Sequence, residues 1–324
     1  MKTLLLTEAD VKKLITFAEA IKIVEKVFYF KSKNLVVMPP KIYLDLPEYN
    51  GDFRAMPAYV KPLDACGIKW VCSYPYNKKY KLPSVMAVII LNNPKNAFPL
   101  AIVEATYITN LRTGAAGAVA VKHIVKSDVK TISFVGCGVQ AYFQFHSIKE
   151  VKKFSIVKLY DIDYKKMLSF AKEIKNYGYD VVVCSSVKDC VKDADIICTT
   201  TPSRKPLVKL AWIKNNVHIN AIGADAPGKQ ELDIEILKKA KIIVDDYKQA
   251  MHSGEINVAI KKGVITQKEI FAELGELVAK NKKVSSCQIT IFDSTGLGIQ
   301  DIAVARYVYK KAKMLNIGNK INFL

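Results

Sequence analysis

Arginine is nearly missing from this chain of 324 residues. Of its 49 basic side chains only Arg54, Arg112, Arg204 and Arg306 are arginines. Where lysine serves almost everywhere, an arginine marks a place that wants a planar, permanently charged fork instead of a point charge. Histidine is sparse as well. His123, His146, His218 and His252 stand far apart with no H-x-x-x-H spacing, so no metal site is expected. The seven cysteines (Cys66, Cys72, Cys137, Cys184, Cys190, Cys198 and Cys287) are an odd number without a C-x-x-C pair. That excludes a zinc ribbon and argues against a disulfide frame; they read as reduced, small, buried hydrophobes of a cytosolic protein. Long apolar runs are absent too. The longest, Val85 to Leu91, cannot span a bilayer, and the three leucines after Met1-Lys2-Thr3 are too few for a signal-peptide core. No membrane partner is expected.

The charge balance is heavily basic, with a formal net charge of +19. A nucleic-acid partner would need those charges gathered into a patch that displaces counterions from phosphates. They are scattered instead in ones and twos, as at Lys12-Lys13, Lys78-Lys79, Lys152-Lys153 and Lys282-Lys283. Such scatter fits solvated helix faces and the steering of anionic ligands, so nucleic acid is not an expected partner. Half of the residues are hydrophobic, ample for a core, and the length suits two domains better than one. No internal repeat and no linker-like tract is visible.

Along the chain, Thr7 and Thr16 sit as N-caps, the second with Glu19 at capping-box spacing. Ile21, Val24 and Phe28 then recur at helical intervals, so the N-terminus is expected to be helical. From Lys41 the pattern turns to short segments rich in branched and aromatic residues, among them Ile42 to Leu46, Arg54 to Val60, Gly67 to Tyr74, Val85 to Asn92 and Leu100 to Glu104. Separated by Pro, Gly and Asn turns, they predict a mostly antiparallel sheet. Ala105 to Lys126 reads as a helix whose Gly114-Ala115-Ala116-Gly117-Ala118 stretch permits close packing. Beyond it strand and helix alternate: strands at Thr131 to Val135, Ile156 to Tyr160, Val181 to Cys184, Asp195 to Thr199, Val217 to Ile222 and Lys241 to Val244, then Ile289 to Phe292 before a final helix from about Ile299 to Leu315. This alternation predicts an α/β fold with a doubly wound parallel sheet.

The turn Gly136-Cys137-Gly138-Val139-Gln140-Ala141 follows the first of those parallel strands and opens a helix, where a dinucleotide fingerprint belongs. Gly136 permits the tight turn, Gly138 lets the backbone approach a pyrophosphate, and the small Ala141 lets helix and strand pack closely. The free amides of the helix N-terminus would meet the phosphates. The second strand ends at Asp161, the distance at which a carboxylate accepts the adenosine ribose hydroxyls and repels a 2′-phosphate, which favours NAD over NADP; as a bare helix cap before Ile162 it would carry no such meaning. Thr199-Thr200-Thr201-Pro202 places a polar loop at a strand's carboxyl end, where ligands bind in such sheets.

Charges embedded in apolar strands remain: Arg54 before Ala55-Met56-Pro57, Lys69 in Gly67-Ile68-Lys69-Trp70-Val71, and Asp225 after Asn220-Ala221-Ile222-Gly223-Ala224. Together with Met38-Pro39-Pro40-Lys41, Leu82-Pro83-Ser84-Val85-Met86-Ala87, Leu111-Arg112-Thr113-Gly114-Ala115, Pro227-Gly228-Lys229-Gln230-Glu231-Leu232 and Phe292-Asp293-Ser294-Thr295-Gly296, they make the sequence resemble the ornithine cyclodeaminase/mu-crystallin family. The likeness is strongest to its archaeal alanine dehydrogenase branch and runs in order along nearly the whole chain.

The resemblance implies a homodimer. Residues 1–112 with 297–324 would form a mixed α+β substrate-binding and dimerisation domain, and residues 113–296 the NAD-binding Rossmann domain. It implies that Lys41 and Arg112 hold a substrate carboxylate, that Lys69 polarises the imine or carbonyl side with its pKa lowered among other cations, and that Asp225 beside it is the general acid/base. Ser84, Thr201 and Ser294 would lie near the nicotinamide; Arg112, Thr113, Val139, Gln140, Thr200, Gly223 and Lys229 complete the expected cofactor set. Ornithine cyclodeaminases carry a Glu where Arg54 stands, and an arginine there would repel ornithine's second ammonium. The expected reaction is therefore oxidative deamination of a small amino acid, L-alanine to pyruvate and ammonia. Ornithine cyclisation, reduction of a cyclic imine such as pyrroline-2-carboxylate, and non-catalytic ligand binding are the alternatives.

Overall fold

In the computed structural model, which describes residues 2–126, 128–284 and 288–322, the chain divides into two compact units, Met1–Arg112 with Leu297–Leu324, and Thr113–Gly296. Cys287 lies outside the described residues.

The first unit opens with strand β1 (Thr3–Leu6) and helices α1 (Glu8–Leu14) and α2 (Phe17–Ser32). Both helices start on complete capping boxes, Thr7 with Asp10 and Thr16 with Glu19, each satisfying two amides that the first turn would leave unpaired. Strands β2 (Val36–Val37), β3 (Ile42–Leu46), β4 (Gly51–Val60), β5 (Ala65–Ser73), β6 (Val85–Asn92) and β7 (Pro99–Glu104) follow, and each pairing among them is antiparallel. Helix α3 (Thr106–Ile124) contains the boundary between the units.

The second unit runs through β8 (Thr131–Val135), α4 (Val139–Ile148), β9 (Ile156–Tyr160), α5 (Tyr164–Lys175), β10 (Asp180–Val183), α6 (Val187–Val191), β11 (Ile196–Thr199), β12 (His218–Ala221), α7 (Ile234–Lys239), β13 (Lys241–Val244), α8 (Tyr247–Ser253), α9 (Asn257–Lys261), β14 (Ile270–Glu273), α10 (Leu274–Val278) and β15 (Thr290–Asp293). Its strands are parallel and ordered β10-β9-β8-β11-β12-β15-β13-β14. Strands β8, β11, β12 and β15 are buried along their whole length, as parallel strands covered on both faces must be. From β8 the chain first builds outward through β9 and β10, then restarts on the other side at β11. This is the Rossmann arrangement, and the reversal opens a crevice at the carboxyl ends of β8 and β11. The small residues of α3 do bring it close to α4: a Cβ on Gly114 would stand 2.6 Å from Ser147 Oγ.

The chain returns to the first unit as α11 (Gly298–Leu315) and β16 (Asn319–Ile321), giving the sheet order β16-β1-β7-β6-β5-β4-β2, with β3 also on β4. Register puts Met56, Lys69, Ile89 and Val103 in one cross-strand row. That row is buried on the face that α11 covers. The neighbouring row, Ala55, Trp70 and Val88, faces the other way, and its Trp70 and Val88 are exposed.

The expectation of a helical N-terminus therefore needs correcting at its first residues. Thr3–Leu6 is a strand, held between β7 in parallel and β16 in antiparallel pairing. Four residues cannot display a period; their state is set by the partners they find. Of the six described cysteines, all free, Cys66, Cys72 and Cys198 lie on strands while Cys137, Cys184 and Cys190 do not. Among the described residues no helix is long and apolar enough to cross a membrane.

Candidate active site

The fingerprint turn in the second unit has the backbone it needs. Gly136 has φ +97°, a left-handed conformation that a side chain would strain, and a Cβ there would come within 2.9 Å of Thr200 Oγ1 and Thr201 Cγ2. Gly138 caps α4 in extended conformation, with open space where its Cβ would be. Val139 starts the helix exposed, and Ala141 is fully buried. Gln140 lies between them in the first turn. The amides of the α4 N-terminus are thus presented beside a gap, the cradle a pyrophosphate requires.

Asp161 closes this turn. Its carboxylate accepts the Cys137 amide at 2.7 Å and the Asp163 amide at 2.8 Å, tying the end of β9 to the glycine loop. It is not the cap of α5; Asp163 has that role, accepting from the Lys166 amide. On the other side of the crevice Thr200 donates its hydroxyl to the Gly136 carbonyl at 3.0 Å. Thr201 donates both amide and hydroxyl to Glu231 Oε1, each at 2.7 Å, and the Gly223 amide meets Glu231 Oε2 at 2.9 Å. Ser294 follows β15 with its amide on the Ala221 carbonyl and its hydroxyl buried. Thr113, at the start of this unit, gives its carbonyl to Gln144 Nε2. Asp225 pairs with Lys229 at 2.6 Å, the lysine four residues on, so these two expected site residues meet each other.

The first unit holds a second concentration of charge. Lys69 is 1% exposed. Its Nζ lies 2.7 Å from Asp301 Oδ2 and 3.4 Å from Thr109 Oγ1. Arg112, one helical turn after Thr109 on α3, places Nε 3.0 Å from the other Asp301 oxygen and Nη1 3.4 Å from Gln300 Oε1. Asp301 lies in the first turn of α11 and is fully buried, so the free amides of that turn favour its charge. Two cations thus share one carboxylate. Burial pushes the Lys69 amine down; Asp301 opposes this, Arg112 and Lys41 reinforce it, and the amine settles at about 7. Lys41 is half-buried ahead of β3, near enough for its charge to act on Lys69.

Asp301 escaped the reading of the sequence, which sought the partner of Lys69 in Asp225. A signal was present: Gln300-Asp301 is a polar pair inside Gly298 to Ala305, otherwise an unbroken apolar stretch of helix. Asp52, the partner of Arg54, was also not anticipated. Arg54 is 8% exposed and forked onto Asp52, with Nε 2.7 Å from Oδ1 and Nη2 3.2 Å from Oδ2, while its guanidinium carbon lies 5.5 Å from the centre of the Tyr43 ring. The bidentate carboxylate fixes the direction in which the guanidinium points. Ser84 sits at the bend before β6, giving its carbonyl to the Tyr74 amide at 2.7 Å.

A parallel sheet with a glycine turn at its switch point, in one chain with a buried lysine titrating near neutrality, defines a class, and comparison with known proteins narrows it. Residues 1–316 match the family model described as the ornithine cyclodeaminase/mu-crystallin family, and the chain belongs to that family. It is 49% identical to a protein named alanine dehydrogenase from Archaeoglobus fulgidus, over 100% of this chain and 99% of that one. Among solved structures it resembles an archaeal alanine dehydrogenase dimer with bound NAD, at TM-score 0.96 and 48% identity with both chains fully covered. It also resembles the Δ1-pyrroline-2-carboxylate reductase of Thermococcus litoralis in complex with NADH and L-proline, at TM-score 0.95 and 36% identity, covering 98% of this chain and 100% of that one.

Proposed function

We propose that this protein is an NAD-dependent amino-acid dehydrogenase that converts L-alanine, water and NAD to pyruvate, ammonia and NADH, reversibly, and works as a homodimer. The observation that carries the reading is the buried Lys69–Asp301–Arg112 centre. Oxidising an α-amino acid needs a cation for its carboxylate and a base that takes a proton from the ammonium group, because an amine must be neutral before Cα can release a hydride. Lys69, poised at about 7, can hold or release that proton at neutral pH. Arg112 and Lys41 supply the charge for the carboxylate. Asp225 is the group proposed to take the proton from the attacking water as the imine hydrolyses, and Lys229 holds its carboxylate in place. NAD supplies the acceptor for the hydride. The residues present fit it: Gly136, Gly138 and the α4 amides suit its phosphates, and Asp161 suits its adenosine ribose.

A second reading, reduction of a cyclic imine such as pyrroline-2-carboxylate, is supported by the likeness to the Thermococcus litoralis reductase. Neither alanine nor that imine carries a second ammonium, so Arg54 suits both, and alanine rests on the likeness to alanine dehydrogenases. A panel followed by the absorbance of reduced nicotinamide separates the two. Alanine should yield NADH, with kcat/KM at least ~10-fold above that for proline or ornithine, the smallest margin that one lost contact would give. Faster consumption of NADH with pyrroline-2-carboxylate than with pyruvate and ammonia would install the cyclic-imine reading instead.

A further inference from the structure

Four buried carboxylates of the second unit, Glu231, Glu255, Asp293 and Asp245, have no part in the chemistry proposed above. Three of them are chained through the backbone. Glu255 accepts the amides of Glu231, at 2.8 Å, and Leu232, at 2.7 Å. Asp293 accepts the amides of Glu255, at 2.9 Å, and Ile256, at 3.2 Å. Each carboxylate thereby fixes the segment that carries the next. Asp245 directly follows β13 and fixes the Thr295 and Gly296 amides, both at 2.7 Å. Leaving a carboxylate dry is expensive unless donors surround it, so a chain of them needs a reason.

The reason lies at its outer end. Glu231 faces three donors, Thr201 N, Thr201 Oγ1 and Gly223 N, on two loops that follow the adjacent strands β11 and β12. Gly223 is pressed against it: a Cβ there would stand 2.6 Å from Glu231 Oε2. A proton on Glu231 would set O–H against N–H, whereas Glu255 and Asp293 have lone pairs to spare. Burial raises all three, Glu255 well above the carboxylate range and Asp293 to about 8, so the inner members can hold the proton and leave Glu231 charged. Sheet order then says what the two loops serve. With the phosphates at the β8–α4 turn and the adenosine on the β9 side at Asp161, the remaining half of a dinucleotide must extend the other way, over β11 and β12.

We propose that Glu231 is a positioning residue for the nicotinamide half of the dinucleotide, holding the Thr201 and Gly223 loops in the shape that receives it. The proposal rests on NAD binding as inferred above. Its test compares two ligands on the full-length protein, NADH and ADP-ribose, which keeps the adenosine and both phosphates but has no nicotinamide. Glu231→Gln turns one acceptor into a donor facing a donor. Losing hydrogen bonds to a charged group should weaken NADH about 10- to 100-fold, while ADP-ribose changes by less than about 3-fold. Glu255→Gln, equally buried but already standing in for the protonated form, should leave both ligands near wild type. Equal weakening of the two ligands by Glu231→Gln would make it a residue of general structure and overturn the proposal, as would unchanged NADH binding. If Glu231→Gln does not fold, Glu231→Asp, which keeps the charge on a shorter arm, must give the same split, and its absence counts equally against the proposal. A wild-type protein that binds no dinucleotide would instead remove the reading of NAD as cofactor, and this proposal with it.

Discussion

A lysine sealed from water, sharing one aspartate with an arginine, is the residue on which most of the chemistry turns. Because the folded amine titrates at about 7 against an ordinary 10.5, the unfolded chain binds more protons between those values. Stability should therefore rise with pH across roughly 7 to 10.5 by this group alone. The same proton governs turnover: kcat/KM for alanine oxidation should climb through pH 7 as Lys69 loses it. Asp301 raises the amine's pKa, so Asp301→Asn should move that limb to lower pH. It should also lower stability by about 3–5 kcal/mol, because two buried cations lose their common partner. A pH-rate profile and a denaturant titration measure both; an unmoved acid limb would separate Lys69 from the reaction. How much of this centre was legible depends on the distance along the chain. Lys69 stood out as a charge among apolar neighbours and Arg112 as one of four arginines, but Asp301 lies 189 residues beyond Arg112, where no local period reports a contact. Asp52 was a different matter. Residues two apart on a strand share a face, but the expected strand began at Arg54, whereas the observed one begins at Gly51 and takes in Asp52.

Elements with a long period or a fixed turn were legible, and those defined by their partners were not. The alternation after Thr131 fixed a parallel sheet because strands buried on both faces read as unbroken apolar runs. The short strands β1, β14 and β16 carry too few residues to display a pattern. At the β8–α4 turn the structure adds a second duty for Asp161, since its carboxylate also anchors the Cys137 amide inside the glycine loop. Asp161→Ser should then do two things. It should relax the preference for NAD over NADP, because the repulsion of a 2′-phosphate goes, and it should weaken NAD itself by about 5- to 10-fold, because the loop loses a charged acceptor. The ratio of kcat/KM for the two cofactors measures the first effect; a mutant that keeps the full wild-type ratio would show that selection lies elsewhere.

At the scale of the molecule, the clue to assembly is the apolar run from Val85 to Leu91, too short for a membrane and too uniform for an antiparallel strand with one wet face. Such a strand should alternate apolar with polar residues. Here Ala87, Ile89 and Leu91 are buried in the first unit, yet Val88 and Ile90 on the opposite face are also apolar and are 43% and 39% exposed. Trp70, the cross-strand neighbour of Val88, is 41% exposed and stacks on Phe53 with ring centres 5.1 Å apart. Contiguous apolar surface of this kind calls for a cover. We take the cover to be the same face of a second copy, as the proposed homodimer requires. Two copies each carrying a formal charge of +19 repel one another, so salt should strengthen their association by screening. The wild type should sediment as a dimer of 36.2 kDa chains at micromolar concentration, more firmly as salt rises. Val88→Lys, which adds a charge at an already exposed position and so should leave the monomer's fold intact, should shift it to monomer. A wild type that stays monomeric, or a Val88→Lys protein that dimerises as before, would mean that something other than a second copy covers this face.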